Sequence, residues 1–425
     1  MHPGGGGSSH VKPLYTVSPV QGIQQRVGSG VTVTSADGSD PAAAAALAKA
    51  ADVAVVIVGE VEKEGADRPN LSLTGNQDAL VQAVVAANPH TVVVVNSGAP
   101  VLMPWVDSVP AVLEAWYPGE EDGNALAAIL CGDVNPSGKL PVTFPRTETQ
   151  TPVSTPDRWP GVNGTAHYSE GLQVGYRWYD AQGQDPLFPF GYGLSYTTFA
   201  FRHLTVTPLL VPGGQVLVGV DVTNTGTRAG TEVAQVYVSD PATAGEPPKQ
   251  LKGFQKVTLQ PGQTRHVTFR LDERAFSVWD STAQQWTTVT GRYRVSVGDS
   301  SRNLPLSAPV AAPWTAGTQS VAVQAPATAT AGSTVAVSTV VTNTGDFPIG
   351  PLQLTLDAPA GWTATQEHPS SGFRFVPAHS SVTVTWQVEV PASGPPGPAT
   401  LTATARYFTV RGGGTATGTA SVLVT

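Results

Sequence analysis

The stretch Gly59-Glu-Val-Glu-Lys-Glu-Gly-Ala-Asp-Arg68 places Glu60, Glu62, Glu64 and Asp67 within eight positions, beside Lys63 and Arg68. Crowding of this kind raises the cost of ionising every carboxylate, so one of them is a candidate to keep its proton near neutral pH and act as a general acid. The alternative is a solvated acidic loop, because perturbed groups mark function only probabilistically. Other chemistries lack their residues. The eight His are scattered, with no pair at metal-ligand spacing, so no metal site is expected. The lone Cys131 rules out a disulfide framework and Cys-based zinc or iron–sulfur sites, and before Gly132-Asp133 it reads as a small core residue. There is no Gly-x-Ser-x-Gly elbow and no phosphate loop, and no cofactor is expected.

The elements around that stretch alternate helix and strand. Asp40 and Pro41 begin a helix over Pro41–Lys49, as N-cap and first helical residue. Val53–Val58 is a continuous apolar run, which suits a strand buried on both faces of a parallel sheet. A helix is predicted from Asn76 to Ala87, strands over Thr91–Val95 and Ala111–Ala115, and a helix from about Glu120 to Leu130. This order predicts a doubly wound α/β sheet with helices on both faces. Ligands of such sheets bind at the carboxyl ends of the strands, so three exits matter: Gly59–Arg68, Asn96-Ser-Gly98 and Trp116-Tyr-Pro-Gly119.

From Phe199 onward short alternating strands dominate, such as Val216–Thr223, Glu232–Ser239, His266–Leu271 and Tyr293–Val297. Pro212-Gly213-Gly214 and Pro261-Gly262 punctuate them, the pattern of a β-sandwich. Val222-Thr-Asn-Thr-Gly226 recurs as Val341-Thr-Asn-Thr-Gly345, 119 residues later. His266-Val-Thr-Phe269 is likewise paralleled by Val382-Thr-Val-Thr-Trp386, 116 residues on. Two tandem sandwiches follow from this, joined by the Pro/Ala-rich stretch Ala308–Trp314. The expected division is 1–150 for the α/β unit, 151–199 for an extended connection packing on it, 200–310 and 318–425 for the two sandwiches. Charge changes at the same place: residues 1–200 hold 9 Lys/Arg against 19 Asp/Glu, residues 201–425 hold 14 against 12.

Over all 425 residues the net charge is −8, against the basic stripe of a nucleic-acid binder. No apolar run approaches the ~20 residues of a membrane helix. Met1–His2–Pro3 leads into glycine, so no signal peptide is expected in this chain. Gly4–Ser9 reads either as an introduced linker or as a loop tail. Tyr176-Arg-Trp-Tyr179 reads either as a sugar-stacking platform or as packing at a domain seam.

Several of these segments, taken in order, resemble the second domain of glycoside hydrolase family 3 β-glucosidases. They are Glu64-Gly-Ala-Asp-Arg68, Ala87-Asn-Pro-His-Thr-Val-Val-Val-Val-Asn-Ser-Gly98, Ala115–Gly119, Gly132–Pro141 and Phe188–Phe199. Phe276-Ser-Val-Trp-Asp280 and Gly291–Gly298 resemble the fibronectin type III-like domain that follows there, and residues 318–425 an immunoglobulin-like module appended to carbohydrate-active enzymes. The resemblance implies a retaining, exo-acting enzyme with two carboxyl groups about 5–5.5 Å apart across the glycosidic bond. It assigns the general acid/base role to Glu64 rather than Glu62, with Glu62, Asp67 and Arg68 as supporting residues. It also implies a β-linked oligosaccharide or an aryl or alkyl glycoside as substrate, and an extracellular or periplasmic location.

A (β/α) barrel of ~250 residues would carry the nucleophilic aspartate, yet 59 residues precede Glu60. The expectation is therefore the C-terminal part of an enzyme, inactive alone, with an exposed barrel-facing surface. The competing reading is a non-catalytic carbohydrate-binding or adhesion protein made of reused domains. A nucleotide-binding α/β domain is disfavoured, because no glycine fingerprint follows Val53–Val58.

Overall fold

The structure is a computed structural model, and it describes the chain apart from residues 210–214, 313–317, 346, 369–374 and 410–411. The first unit contains α1 (Pro19–Val27), α2 (Pro41–Lys49), β1 (Ala54–Gly59), α3 (Gln77–Ala87), β2 (Thr91–Asn96), β3 (Ala111–Glu114), α4 (Asp122–Leu130) and α5 (Tyr176–Ala181). Its three strands are parallel in the order β1-β2-β3, with Val56 opposite Val93 and Val93 opposite Val112. Asp40 caps α2 by accepting from the Ala42 and Ala43 amides, as its sequence predicts. Ser18 and Gln21 form a reciprocal capping box on α1.

The expectation that Val53–Val58 is a strand buried on both faces does not hold: β1 alternates, with Ala54, Val56 and Val58 buried while Val55 and Ile57 are half-buried. It is β2 that is covered on both faces, with Val93, Val94 and Val95 all fully buried. The reason is position, since β1 is an edge strand and β2 is central. Cys131 is another correction. It is exposed at the C-terminus of α4 rather than in the core, because the apolar face of that helix is carried by Leu126 and Ala127.

The second unit has β4 (Phe199–Leu209), β5 (Gln215–Asn224), β6 (Gly230–Ser239), β7 (Gln250–Leu259), β8 (Thr264–Asp272), β9 (Val278–Asp280), β10 (Gln285–Thr287), β11 (Gly291–Gly298) and β12 (Leu306–Ala312). Sheets β4-β5-β8 and β12-β11-β6-β7 enclose one core, with Val216, Val218, Val220 and Val222 of β5 in the same cluster as Val295 and Val297 of β11. The third unit has β13 (Gln319–Gln324), β14 (Thr328–Ala329), β15 (Thr334–Asn343), β16 (Gln353–Asp357), β17 (Thr363–His368), β18 (Ser380–Glu389), β19 (Gly397–Thr409) and β20 (Gly412–Val424). Its sheets are β13-β15-β18-β17 and β14-β20-β19-β16, around a core that includes Val341, Trp386, Leu401 and Ala403. Ala308–Ala312, read from sequence as linker, belong to β12, while Trp314 and the turn Pro212–Gly214 lie outside the described residues.

The Val-Thr-Asn-Thr-Gly repeat has a physical cause. Asn224 and Asn343 are both fully buried at strand ends. Each amide nitrogen donates to backbone carbonyls of neighbouring loops, Arg228 and Leu259 in one case, Phe347 and Pro377 in the other. Each side-chain oxygen accepts from the amide two residues on, Gly226 or Gly345. A buried amide that satisfies its loop in this way cannot be replaced cheaply.

The seam between the first two units combines ion pairs with aromatic packing. Lys139 reaches Glu232 at 2.8 Å and also donates to the Gly193 carbonyl. Asp180 of α5 takes both Lys249 at 2.6 Å and Arg302 at 3.0 Å. Tyr176 stacks on Phe190 with centroids 4.9 Å apart, meets Tyr237 edge-on and accepts from the Leu251 amide. Of the two readings of that aromatic run, Tyr176 is thus engaged in seam packing.

Candidate active site

All three strand exits open toward residues 2–18, which lace them together. The His2 amide donates to Asn96 at the end of β2, and the Gly119 amide beyond β3 donates to the Pro3 carbonyl. The Gly6 amide donates to the Glu62 carbonyl in the loop after β1. The Leu14 amide donates to Glu120, and Tyr15 donates its hydroxyl to Glu121. The glycine-rich start is thus a docked loop. Gly7 has to be glycine: its φ is +85°, and a Cβ there would come 2.4 Å from Glu64 Cβ. Gly98 is closely approached by side chains: a Cβ there would lie 2.4 Å from Glu62 Oε2 and 2.7 Å from the Tyr117 ring, so those groups would have to shift.

The four carboxylates of the first exit go to four different environments, so the crowding expected from their spacing does not arise. Glu60 is buried and accepts from the Thr74 amide, with the Gln77 amide group nearby at 3.4 Å. Glu62 is largely buried and pairs with Arg68 at 2.8 Å, and Arg68 also donates to the Pro100 and Ser72 carbonyls. Asp67 is exposed. Glu64 is exposed too, and its carboxylate accepts from both the hydroxyl and the amide of Ser8, the latter at 2.8 Å. Those two bonds hold the Glu64 carboxyl below its ordinary range, the opposite of the shift that mutual repulsion would give. In this chain Glu64 is an ionised, solvent-reachable carboxylate at the strand tips.

Tyr117 holds the loop from the other side. Its hydroxyl donates to the Glu60 carbonyl at 2.8 Å and accepts from the Glu62 amide at 3.0 Å. Asn96, buried at the end of β2, donates to the carbonyls of Trp116 and His2. The backbone at Trp116 is itself unusual, with φ of 53° in a non-glycine residue.

The carboxyl that is pushed upward is Glu114, the last residue of β3. Its Oε2 is buried and meets no donor in hydrogen-bonding geometry, while Oε1 accepts from the Trp116 amide at 3.0 Å. Burial raises it to about 8; Trp116 and Ser97 pull the other way and the charge of Glu62 adds to the rise. Sequence reasoning passed over Glu114 and Ser8. A lone acid closing the apolar run Ala111-Val-Leu-Glu-Ala115 was the available signal for the first. Nothing local signalled the second. Among the described residues no group of three or more His, Cys, Asp or Glu could hold a metal ion, and no helix is long and apolar enough to cross a membrane.

Comparison with known proteins agrees with this architecture. Residues 2–196 match the glycosyl hydrolase family 3 C-terminal domain. Residues 232–301 match the fibronectin type III-like domain, and residues 329–408 the NPCBM-associated, NEW3 domain of alpha-galactosidase. Thermostable beta-glucosidase B of Acetivibrio thermocellus is 41% identical over 317 residues, 71% of this chain and 42% of that protein. Probable beta-glucosidase J of Aspergillus fumigatus is 46% identical over 64% of this chain and 32% of its own length. Among solved structures, the beta-glucosidase DesR of Streptomyces venezuelae, in complex with D-glucose, superposes with a TM-score of 0.62 at 46% identity, over 64% of this chain and 35% of that one. The chain thus spans less than half the length of these relatives.

Proposed function

We propose that this chain, which carries a glycosyl hydrolase family 3 C-terminal domain over residues 2–196, supplies the acid/base half of a retaining, exo-acting β-glycosidase, with Glu64 as the acid/base. The observation that carries the reading is the placement of Glu64: exposed at the carboxyl ends of a parallel sheet, on a loop fixed by Tyr117, Arg68 and the Gly5–Ser8 segment. Its substrates are β-linked oligosaccharides or aryl and alkyl glycosides, and it works outside the cytoplasm. The attacking carboxylate comes from a (β/α) barrel packed over the strand exits, for which exposed Leu14 and Val61 are apolar contact points.

In the first step the barrel's aspartate attacks the anomeric carbon while Glu64 passes its proton to the leaving oxygen, so the C–O bond to the aglycone breaks as the bond to aspartate forms. In the second, ionised Glu64 takes a proton from water, whose oxygen displaces the aspartate. The Ser8 contacts favour the ionised form needed in the second step. A second carboxylate about 5 Å away opposes ionisation and favours the protonated form needed in the first.

The test is Glu64→Gln in the barrel-complemented enzyme. Hydrolysis of alkyl glycosides should collapse far more than that of activated aryl glycosides, which need little protonation. Equal losses on both, or none, move the acid role elsewhere. The isolated chain should not turn over an aryl β-glucoside, and Glu64-dependent turnover by it alone would overturn the need for a barrel.

A further inference from the structure

The outer face of β19 and its neighbours in the third unit is built, by register, of two unlike rows. Gln353 of β16, Arg406 of β19 and Thr415 of β20 pair directly and form a polar row across three strands. One step toward the hairpin end, Phe408 sits opposite Gly413, and Pro351 approaches on the β16 side, where the Gly350 amide donates to the Phe408 carbonyl. Together with Tyr407 and Gly414, these six residues line a hollow of about 480 Å³. All six are exposed, and Phe408 presents 60% of its surface. Arg406 and Gln353 make no hydrogen bond or ion pair with the described residues, although a fork of five donors and an amide lie side by side.

We propose that this hollow binds a hexopyranose unit of a neutral glycan chain. Adjacent strands lie about 4.8 Å apart and alternate residues about 6.8 Å apart, so one apolar row and one polar row together span the footprint of a sugar ring. The ring's C–H face rests on Phe408 and Pro351, and the missing side chain at Gly413 leaves room beside the phenyl ring for it. Its hydroxyls then meet the Arg406 guanidinium, the Gln353 amide and the Thr415 hydroxyl. A few convergent polar groups over an apolar floor are what orient a ligand in a concave site. Among the described residues the lining is otherwise uncharged, which suits a neutral chain, and the hollow is open, which suits a unit inside a polymer. The choice of β-linked glucose as probe rests on the proposed function; the hollow itself does not.

The experiment is native affinity electrophoresis of the whole chain through soluble mixed-linkage β-glucan, with titration of cellohexaose for the affinity. A Glu64→Gln background keeps the measurement free of any turnover, so its outcome is independent of the catalytic test. Retardation of the parent is expected, weakened at least tenfold in Kd by Phe408→Ala and by Arg406→Ala, preserved by Phe408→Tyr, and unaffected by Thr402→Ala on the same face. The three side chains lie at the surface or, for Thr402, half-buried, and equal unfolding midpoints confirm that the variants fold. No retardation of the parent, or retardation untouched by both alanine variants, overturns the proposal.

Discussion

The Ser8 amide donates a 2.8 Å hydrogen bond to Glu64 Oε2 across 56 residues of chain, and the Ser8 hydroxyl donates to the same oxygen. Together they hold the carboxyl below its usual 4.5. Removing the hydroxyl with Ser8→Ala should move the Glu64 midpoint up toward that value, while the remaining amide keeps it from returning fully. A carbonyl NMR titration of the chain reads this directly. An unchanged midpoint would show that the two residues are adjacent without being coupled.

Glu114 gives the opposite pH signature. Its folded-state value lies near 8, above the ordinary 4.5, so between those limits the native state keeps a proton that the unfolded chain releases. Stability should therefore fall as pH rises through that window and level off above it, by about 1.4 kcal/mol per pH unit. Glu114→Gln keeps the acceptor for the Trp116 amide and removes the titration. Unfolding free energies of parent and variant should diverge from pH 5 to pH 8 in the variant's favour, and parallel curves would refute the assignment.

Tyr117→Phe removes one hydroxyl that serves two backbone groups, the Glu60 carbonyl and the Glu62 amide. A net hydrogen bond is worth about 1 kcal/mol, so with two of them lost local opening of the loop should become roughly thirtyfold easier. Amide hydrogen exchange at Glu62 is the measurement. Exchange there should accelerate while β2 stays protected.

The Lys139–Glu232 pair is largely enclosed, with Glu232 buried and Lys139 half-buried. Lys139→Met leaves Glu232 without its cation, which costs about 3–5 kcal/mol in comparable pairs. Burial already raises the Glu232 carboxyl, with Lys139 opposing the rise, so the loss of Lys139 lifts it further. The deficit should be larger at pH 8 than at pH 5, where the orphaned acid takes up a proton. The double variant Lys139→Met/Glu232→Leu should recover most of the loss in a thermal melt, and a double variant as unstable as the single would remove the pair from the account.

Local pattern made much of the architecture legible. The helix over Pro41–Lys49 was visible from its cap, and β2 and α3 from their periodicity, each within a residue or so. The paired sandwiches were visible because Asn224 and Asn343 do the same work on the same kind of loop. The three strand exits followed from the parallel order, and the structure brings them to one place.

What the sequence determined by itself was therefore which segments are helix or strand, which type of unit follows which, and where a reactive loop could lie. These depend on residues a few positions apart. The electrostatics of the site were decided only by tertiary structure: Glu62 paired with Arg68, Glu64 kept ionised by Ser8, Glu114 driven toward its protonated form. A carboxyl's ionisation depends on solvent, donors and charges within a few ångströms. Chain folding brings those together from distant positions, as it brings Ser8 to Glu64.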